Sequence, residues 1–181
     1  MIRVCKLCIS VVLIFSQISD GYGQKRDSII RDIQESFRKI NSDKTLKTVK
    51  LENEEFLPQA TDGGCSLTGY FKGDTVYKME VWIGLSYGIK QFEYYFKDDK
   101  LFFIYEKEED FPYDEKEGTL VYTKVKLAFE GRYYLNRGKI IDVKKRGEKR
   151  LDTNSSAFLK DLIAESKSYE KLLRVHFRNG K

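Results

Sequence analysis

The sequence contains three stretches that align without gaps: GYFKGDTVYKM (69–79), YYFKDDKLFFI (94–104) and YYLNRGKIIDV (133–143). Each stretch places an aromatic-ended segment before a short polar turn and an apolar segment after it. The turn residues at 72–74, 97–99 and 136–138 include types that tolerate positive φ, as tight hairpin turns require. The three stretches therefore predict three antiparallel β-hairpins.

The segments around the hairpins add one strand and two helices. Residues 27–40 carry apolar side chains with a period of 3.6, and residues 158–173 do the same, so each predicts an amphipathic helix. Residues 45–51 alternate as a strand does. We expect an α+β fold with an N-terminal helix, an antiparallel meander of about six or seven strands and a C-terminal helix packed on one face. We expect the N-terminal helix to share that face.

The first 23 residues have the pattern of a signal peptide. Arg3 and Lys6 precede an apolar run over residues 7–18, and Gly21 and Gly23 stand at −3 and −1 of a cut after residue 23. The run is shorter than the roughly 20 residues that span a bilayer. We therefore predict a secreted protein, periplasmic or extracellular, in which residues 24–181 form a single domain with no stable membrane span.

Composition narrows the classes of partner. The 181 residues include 33 Lys and Arg against 28 Asp and Glu, a formal net charge of +5. Because the two signs are interleaved rather than gathered in one basic patch, we predict no nucleic-acid partner. Only Cys65 lies beyond the signal peptide, so an internal disulfide is excluded, and the thiol is either a small buried side chain or a reactive group.

The usual catalytic and metal-binding motifs are absent from the sequence, which favours a non-catalytic protein without a cofactor. The single His, His176, lies near the end of the second helix, where a cation suits the helix dipole. The acidic segment 106–118 could offer Asp110 and Asp114 to Ca²⁺. It lacks the fixed ligand spacing of a calcium loop, so we interpret it as a solvated loop and predict no metal site.

Alternation along the strands separates two faces of the sheet. In the first hairpin, residues 77, 79, 81 and 83 form an apolar side, opposite Lys78, Glu80 and Trp82. A second long strand is expected over residues 121–135, with its odd-numbered residues on the apolar side. The opposite face combines aromatic and charged side chains, and we predict that it binds a ligand. Its candidate binding residues are Trp82, Glu80, Tyr122, Glu130, Arg132 and Tyr134.

Several functions fit this pattern. The leading hypothesis is a secreted, non-catalytic binding domain that recognises a glycan or a polypeptide through the aromatic and charged face. An alternative is a small hydrolase that pairs Glu80 with Glu93 or Glu130. A secreted enzyme inhibitor acting through residues 106–118, or a purely structural envelope protein, are further alternatives.

Overall fold

A computed structural model of the chain describes residues 7–59, 61–149 and 156–179, with side chains from Gly23 onward and, in the last helix, from residue 157. The elements follow in the order α1 (Leu7–Ser42), β1 (Lys47–Glu52), a short 3₁₀ turn (Asn53–Glu55), β2 (Cys65–Lys72), β3 (Thr75–Leu85), β4 (Gly88–Lys97), β5 (Lys100–Asp110), β6 (Tyr113–Asp114), β7 (Thr119–Leu120), β8 (Lys126–Asn136), β9 (Lys139–Gly147) and α2 (Ser156–Asn179). Of the predicted signal peptide, residues 1–6 lie outside the described part, and residues 7–22 are described only as helical backbone.

Seven strands form one antiparallel sheet in the order β1-β2-β3-β4-β5-β8-β9, and β6 and β7 form a separate small hairpin. The three predicted hairpins are confirmed as the pairs β2-β3, β4-β5 and β8-β9. Their two-residue turns contain positive φ values, at Gly73 in the first, at Asp98 and Asp99 in the second, and at Arg137 and Gly138 in the third. The α+β fold class is therefore confirmed.

Each hairpin carries a β-bulge at the same position of the aligned sequences. The register shifts after Tyr70, after Tyr95 and after Tyr134. The extra residue in the second strand of each hairpin is Tyr77, Phe102 or Ile141, and all three pack in the same cluster beneath α1. The prediction that Tyr77 shares a face with Met79 is wrong, because a bulge moves one residue to the opposite face.

The two helices pack on opposite faces of the sheet, so the expectation that they share a face is wrong. Helix α2 covers the larger cluster, where Leu173 and Phe177 meet β2; the rings of Phe71 and Phe177 stack with centroids 4.2 Å apart. Helix α1 covers a smaller cluster through Ile30, Ile33 and Ile40. We call these two sides of the sheet the α2 face and the α1 face. The bulges account for the apolar cluster beneath α1, because they turn Tyr77, Phe102 and Ile141 towards the α1 face.

The prediction of one long strand over residues 121–135 is also wrong. Strand β8 begins only at Lys126, and the preceding residues 121–125 form a turn beside the small hairpin. The predicted acidic loop is shorter than expected, because β5 continues to Asp110 and buries Glu106 and Glu108 on the α2 face. Glu106 accepts a hydrogen bond from the Tyr133 hydroxyl at 2.6 Å and forms an ion pair with Lys149. A carboxylate that has a cation and a hydrogen-bond donor as partners can therefore be buried in a strand, although the acidic composition of this segment predicted a solvated loop.

Candidate functional site

The α1 face is only partly covered by its helix. Cross-strand pairing sets its side chains in parallel rows that run across the sheet. One row, beneath α1, contains Tyr70, Lys78, Tyr95, Phe103 and Tyr134. The next two rows lie beyond the helix and contain Glu80, Glu93, Tyr105, Arg132 and Lys144, followed by Trp82, Gln91, Lys107, Glu130 and Arg146.

A groove of about 600 Å³ runs between α1 and these rows, and we call it the α1 groove. Its size lies within the range of small-molecule binding clefts. The floor is apolar and the rim is charged or amide-bearing. The lining residues are Ile33, Gln34, Phe37, Asn41, Glu93, Phe103, Tyr105, Arg132, Tyr134 and Lys144.

A polar network around Lys78 closes one end of the α1 groove. Lys78 is only 7% exposed. The ammonium group forms ion pairs with Glu80 at 2.6 Å and with Glu93 at 3.3 Å, and it donates to Asn41 Oδ1 at 3.0 Å. It also lies 5.2 Å from the centroid of the Tyr95 ring. Because every donor has an acceptor, the charge is compensated inside the protein.

Tyrosine hydroxyls complete this network. Tyr95 donates to Glu93 at 2.5 Å and accepts from Asn41 Nδ2 at 3.0 Å, while Tyr70 donates to Glu80 at 2.6 Å. Burial raises the pKa of both phenols well above the ordinary value, and the neighbouring carboxylates raise it further. Both tyrosines therefore remain neutral donors at physiological pH.

The other end of the α1 groove is cationic. Arg132 and Lys144 are direct cross-strand partners on β8 and β9. Arg132 forms an ion pair with Glu130, and its guanidinium carbon lies 5.8 Å from the centroid of the Tyr105 ring. Burial, reinforced by a hydrogen bond to Glu130, raises the pKa of Tyr105 to about 12. The Lys144 ammonium lies 5.7 Å from the centroid of the Tyr134 ring.

A second hollow, of about 550 Å³, lies at the end of the sheet, and we call it the Trp82 hollow. Trp82 is half-buried, and Tyr122 is 63% exposed and packs edge-on against Phe111 with ring centroids 5.1 Å apart. The wall opposite forms where the backbones of Gly63 and Gly84 meet, with Gly63 N donating to Gly84 O at 3.1 Å. A Cβ on Gly84 would stand 2.7 Å from Gly63 O, so only glycine permits this approach.

The structure does not bring the six predicted site residues together: four of them line a cavity, and Glu80 and Glu130 line neither the α1 groove nor the Trp82 hollow. Strand alternation puts Glu80, Trp82, Glu130, Arg132 and Tyr134 on the α1 face. Arg132 and Tyr134 line the α1 groove, whereas Trp82 and Tyr122 line the Trp82 hollow. Tyr122 lies in a turn rather than in a strand, and Tyr134 is only 3% exposed because α1 covers it.

Sequence reasoning missed three residues that shape the α1 groove. Gln34 and Asn41 lie on α1, which was expected on the other side of the sheet, and Lys144 lies on β9, a strand for which no binding residue was predicted. Helical spacing offered one signal, because Gln34 and Asn41 flank Phe37 on the same side of the helix. No sequence signal placed that side over β8 and β9.

The carboxylates proposed for hydrolysis differ in their placement. Glu80 and Glu93 are direct cross-strand partners, so their Cβ atoms lie about 5 Å apart. Glu130 is three strands away from Glu80, or about 14 Å at the usual strand spacing, and the two cannot act on one bond. Among the described residues, no group of three or more His, Cys, Asp or Glu side chains is placed to hold a metal ion. Cys65 is buried.

Comparison of the chain with protein-family models, with curated proteins and with solved structures finds no match. Function must therefore be argued from the geometry of the α1 groove and of the Trp82 hollow.

Proposed function

We propose that this chain is a non-catalytic binding domain that holds a segment of polypeptide in the α1 groove. The observation that carries the proposal is the composition of the groove: an apolar floor at Phe37 and Phe103, the exposed amide of Gln34, and a cationic end. An extended peptide presents apolar side chains and backbone amides together, and this lining complements both.

A polypeptide fits the α1 groove better than a glycan does. Sugar rings stack on open aromatic faces, and the groove offers few of these. Arg132 lies over the ring of Tyr105, and Phe103 packs between Phe37 and Tyr134 with ring centroids 5.4 and 5.1 Å away. The aromatic rings of the groove thus form a floor for apolar side chains rather than a platform for sugars.

We favour binding over hydrolysis because Glu80 and Glu93, the adjacent pair among the carboxylates considered for hydrolysis, are already engaged. Glu80 and Glu93 share the Lys78 ammonium, and each accepts a hydrogen bond from a tyrosine. A hydrolase requires one of its carboxyl groups to give or take a proton at the substrate. Here Lys78, Tyr70 and Tyr95 occupy the oxygens that would do so.

The experiment fills the α1 groove from its helix side. Gln34 is exposed on α1, so Gln34→Trp blocks the groove without removing a core contact. We expect it to weaken binding of short capped peptides by roughly tenfold or more, measured by calorimetry. Asp32→Trp introduces the same side chain on the opposite flank of α1 and should leave affinity unchanged. Equal affinity of both variants and the parent protein contradicts the proposal.

The Trp82 hollow supports a second candidate, a glycan site. Tyr122 offers an exposed ring beside Trp82, the only tryptophan in the sequence. We expect soluble envelope oligosaccharides to cause a saturable change in Trp82 fluorescence. Tyr122→Ala should weaken this change. Because Tyr122 is exposed, its removal should not unfold the protein. An inhibitor would instead bind a folded enzyme through residues 106–118, where Tyr113 is 62% exposed.

We also propose that the protein is exported after removal of residues 1–23. Side chains from Gly23 to Ser28 are exposed, and packing of α1 against the sheet begins only at Ile29. Cleavage after Gly23 therefore removes no contact that the structure describes. Neither helix has an apolar stretch long enough to cross a bilayer within the described residues. N-terminal sequencing of the protein recovered outside the cytoplasm should begin at Gln24.

A further inference from the structure

The cationic end of the α1 groove contains two like charges in direct opposition. Arg132 and Lys144 are cross-strand partners on the α1 face, and such partners have Cβ atoms about 5 Å apart. Like charges in this position repel each other and oppose strand pairing. The arrangement therefore needs either an internal counter-charge or an external one.

The internal counter-charge is incomplete. Glu130 forms an ion pair with Arg132, which leaves 46% of the Arg132 side chain exposed. Within residues 7–59, 61–149 and 156–179, no carboxylate forms an ion pair with Lys144, although Asp142 lies two residues before it on the same strand face. Arg146, directly opposite Glu130, adds a further cation to this corner.

The two ends of the α1 groove differ in how completely carboxylates neutralise their positive charges. At the Lys78 end, two carboxylates surround one buried ammonium group. At the Lys144 end, Glu130 and Asp142 share a face with three cations, Arg132, Lys144 and Arg146, and no ion pair engages Lys144 among the described residues. The excess positive charge lies at an exposed rim beside the apolar floor, so an anion placed there gains charge-assisted hydrogen bonds.

We infer that the α1 groove is selective for acidic polypeptide, with a side-chain carboxylate held between Arg132 and Lys144 and a neighbouring apolar side chain on the floor at Phe37. This inference rests on the proposed function and names its substrate class. The planar guanidinium group of Arg132 and the ammonium group of Lys144 lie on neighbouring strands, so both can donate hydrogen bonds to one carboxylate. An Asp or Glu next to an apolar residue is the sequence pattern that this geometry fits.

The test compares three capped peptides that share the same apolar residues and alternate them with Asp, Asn or Lys. Calorimetry with the purified protein should give an affinity for the Asp peptide roughly tenfold above that for the Asn peptide, with the Lys peptide weakest. Raising the salt from about 20 to about 200 mM should reduce the difference, because the site is solvent-accessible. Lys144→Met should reduce the Asp-over-Asn preference to roughly twofold.

The matched control is Lys139→Met, which removes the same charge from the same strand, at the turn and outside the groove. It should keep the full preference for Asp. If the Asp peptide and the Asn peptide bind in the groove with equal affinity, this inference is overturned but the proposed function is not. Absence of peptide binding in the groove overturns both. Lys144-dependent binding of oligogalacturonate without peptide binding also overturns both, and identifies an anionic glycan instead.

Discussion

At the scale of single residues, Lys78 on the α1 face is a nearly buried charge with two acidic neighbours. Its ammonium group is nearly buried, and it is the only described cation that contacts both Glu80 and Glu93. Without it, two carboxylates would face each other across neighbouring strands in a partly desolvated site. The stability of the α1 face therefore depends on one positive charge.

Lys78→Met tests this dependence. We expect a loss of about 2 kcal/mol in the free energy of unfolding, less than for a fully buried pair because Glu80 and Glu93 remain partly exposed. Urea denaturation followed by circular dichroism measures the change. The triple variant that adds Glu80→Gln and Glu93→Gln should recover most of the stability, because neutral amides do not repel. If the triple variant is as unstable as Lys78→Met, packing of the lysine stem is responsible rather than charge.

At the scale of elements, the three hairpins have a common design. Each has a two-residue turn, a bulge in the strand pairing and a tyrosine that points towards α1 just before the bulge. The third turn differs from the others in a testable way, because Arg137 has a φ of 51° although it is neither Gly, Asn nor Asp. Such a conformation is strained for a long side chain.

Arg137→Asn should therefore stabilise the third hairpin. Asn followed by Gly138 is the preferred pair for this type of turn, and we expect a gain of about 0.5–1 kcal/mol. Arg137→Val at the same position should lose roughly 1 kcal/mol, because a β-branched residue tolerates positive φ poorly. Thermal unfolding of both variants against the parent gives the comparison. Equal melting temperatures for Asn and Val would contradict the assigned turn geometry.

The hairpins also show what the sequence could predict. Turn residues act locally, so positions 72–74, 97–99 and 136–138 were sufficient to predict all three turns. A bulge depends on how two strands meet, and for this reason the face of Tyr77 was predicted wrongly. Tyr122 was placed in a strand because its neighbours alternate, whereas the small hairpin of β6 and β7 is followed by a turn, and β8 begins only at Lys126.

The candidate site was predictable only in part, for a related reason. Alternation correctly grouped Arg132 and Trp82 on one face of the sheet, opposite Met79 and Val81, because that signal is carried by the strands themselves. It did not predict that α1 packs on this face. The groove, however, is made by the position of α1, which no local signal specifies. Gln34 and Lys144 come together over a separation of 110 positions, through tertiary packing alone.

At the scale of the whole molecule, tyrosines hold the sheet and both helices together. Burial raises the pKa of Tyr70, Tyr94, Tyr95, Tyr105, Tyr133 and Tyr169, and for Tyr105 and Tyr169 it does so to about 12. These phenols are neutral when protonated, so the native state binds their protons more tightly than the unfolded chain, where the pKa is about 10. Their contribution is fully present below pH 10 and is lost as the pH rises through the native values.

We therefore expect the free energy of unfolding to fall steeply above pH 10. Phenolate absorbance during an alkaline titration should show a cooperative step that coincides with loss of the far-ultraviolet circular dichroism signal. That step should include the six tyrosines whose pKa is raised. Ionisation of all twelve tyrosines below pH 11 in a protein that stays folded would contradict the packing described here.

The placement of the two helices at opposite ends of the chain and on opposite faces of the sheet has a consequence for synthesis. The chain leaves the ribosome N-terminus first, so α1 is available while the hairpins form, each from segments adjacent in sequence. Helix α2 emerges last, and until then Leu67, Phe71 and Met79 on the larger apolar face have no cover. A nascent or truncated chain ending before residue 156 would present that surface to chaperones and proteases, although all seven strands had already been made.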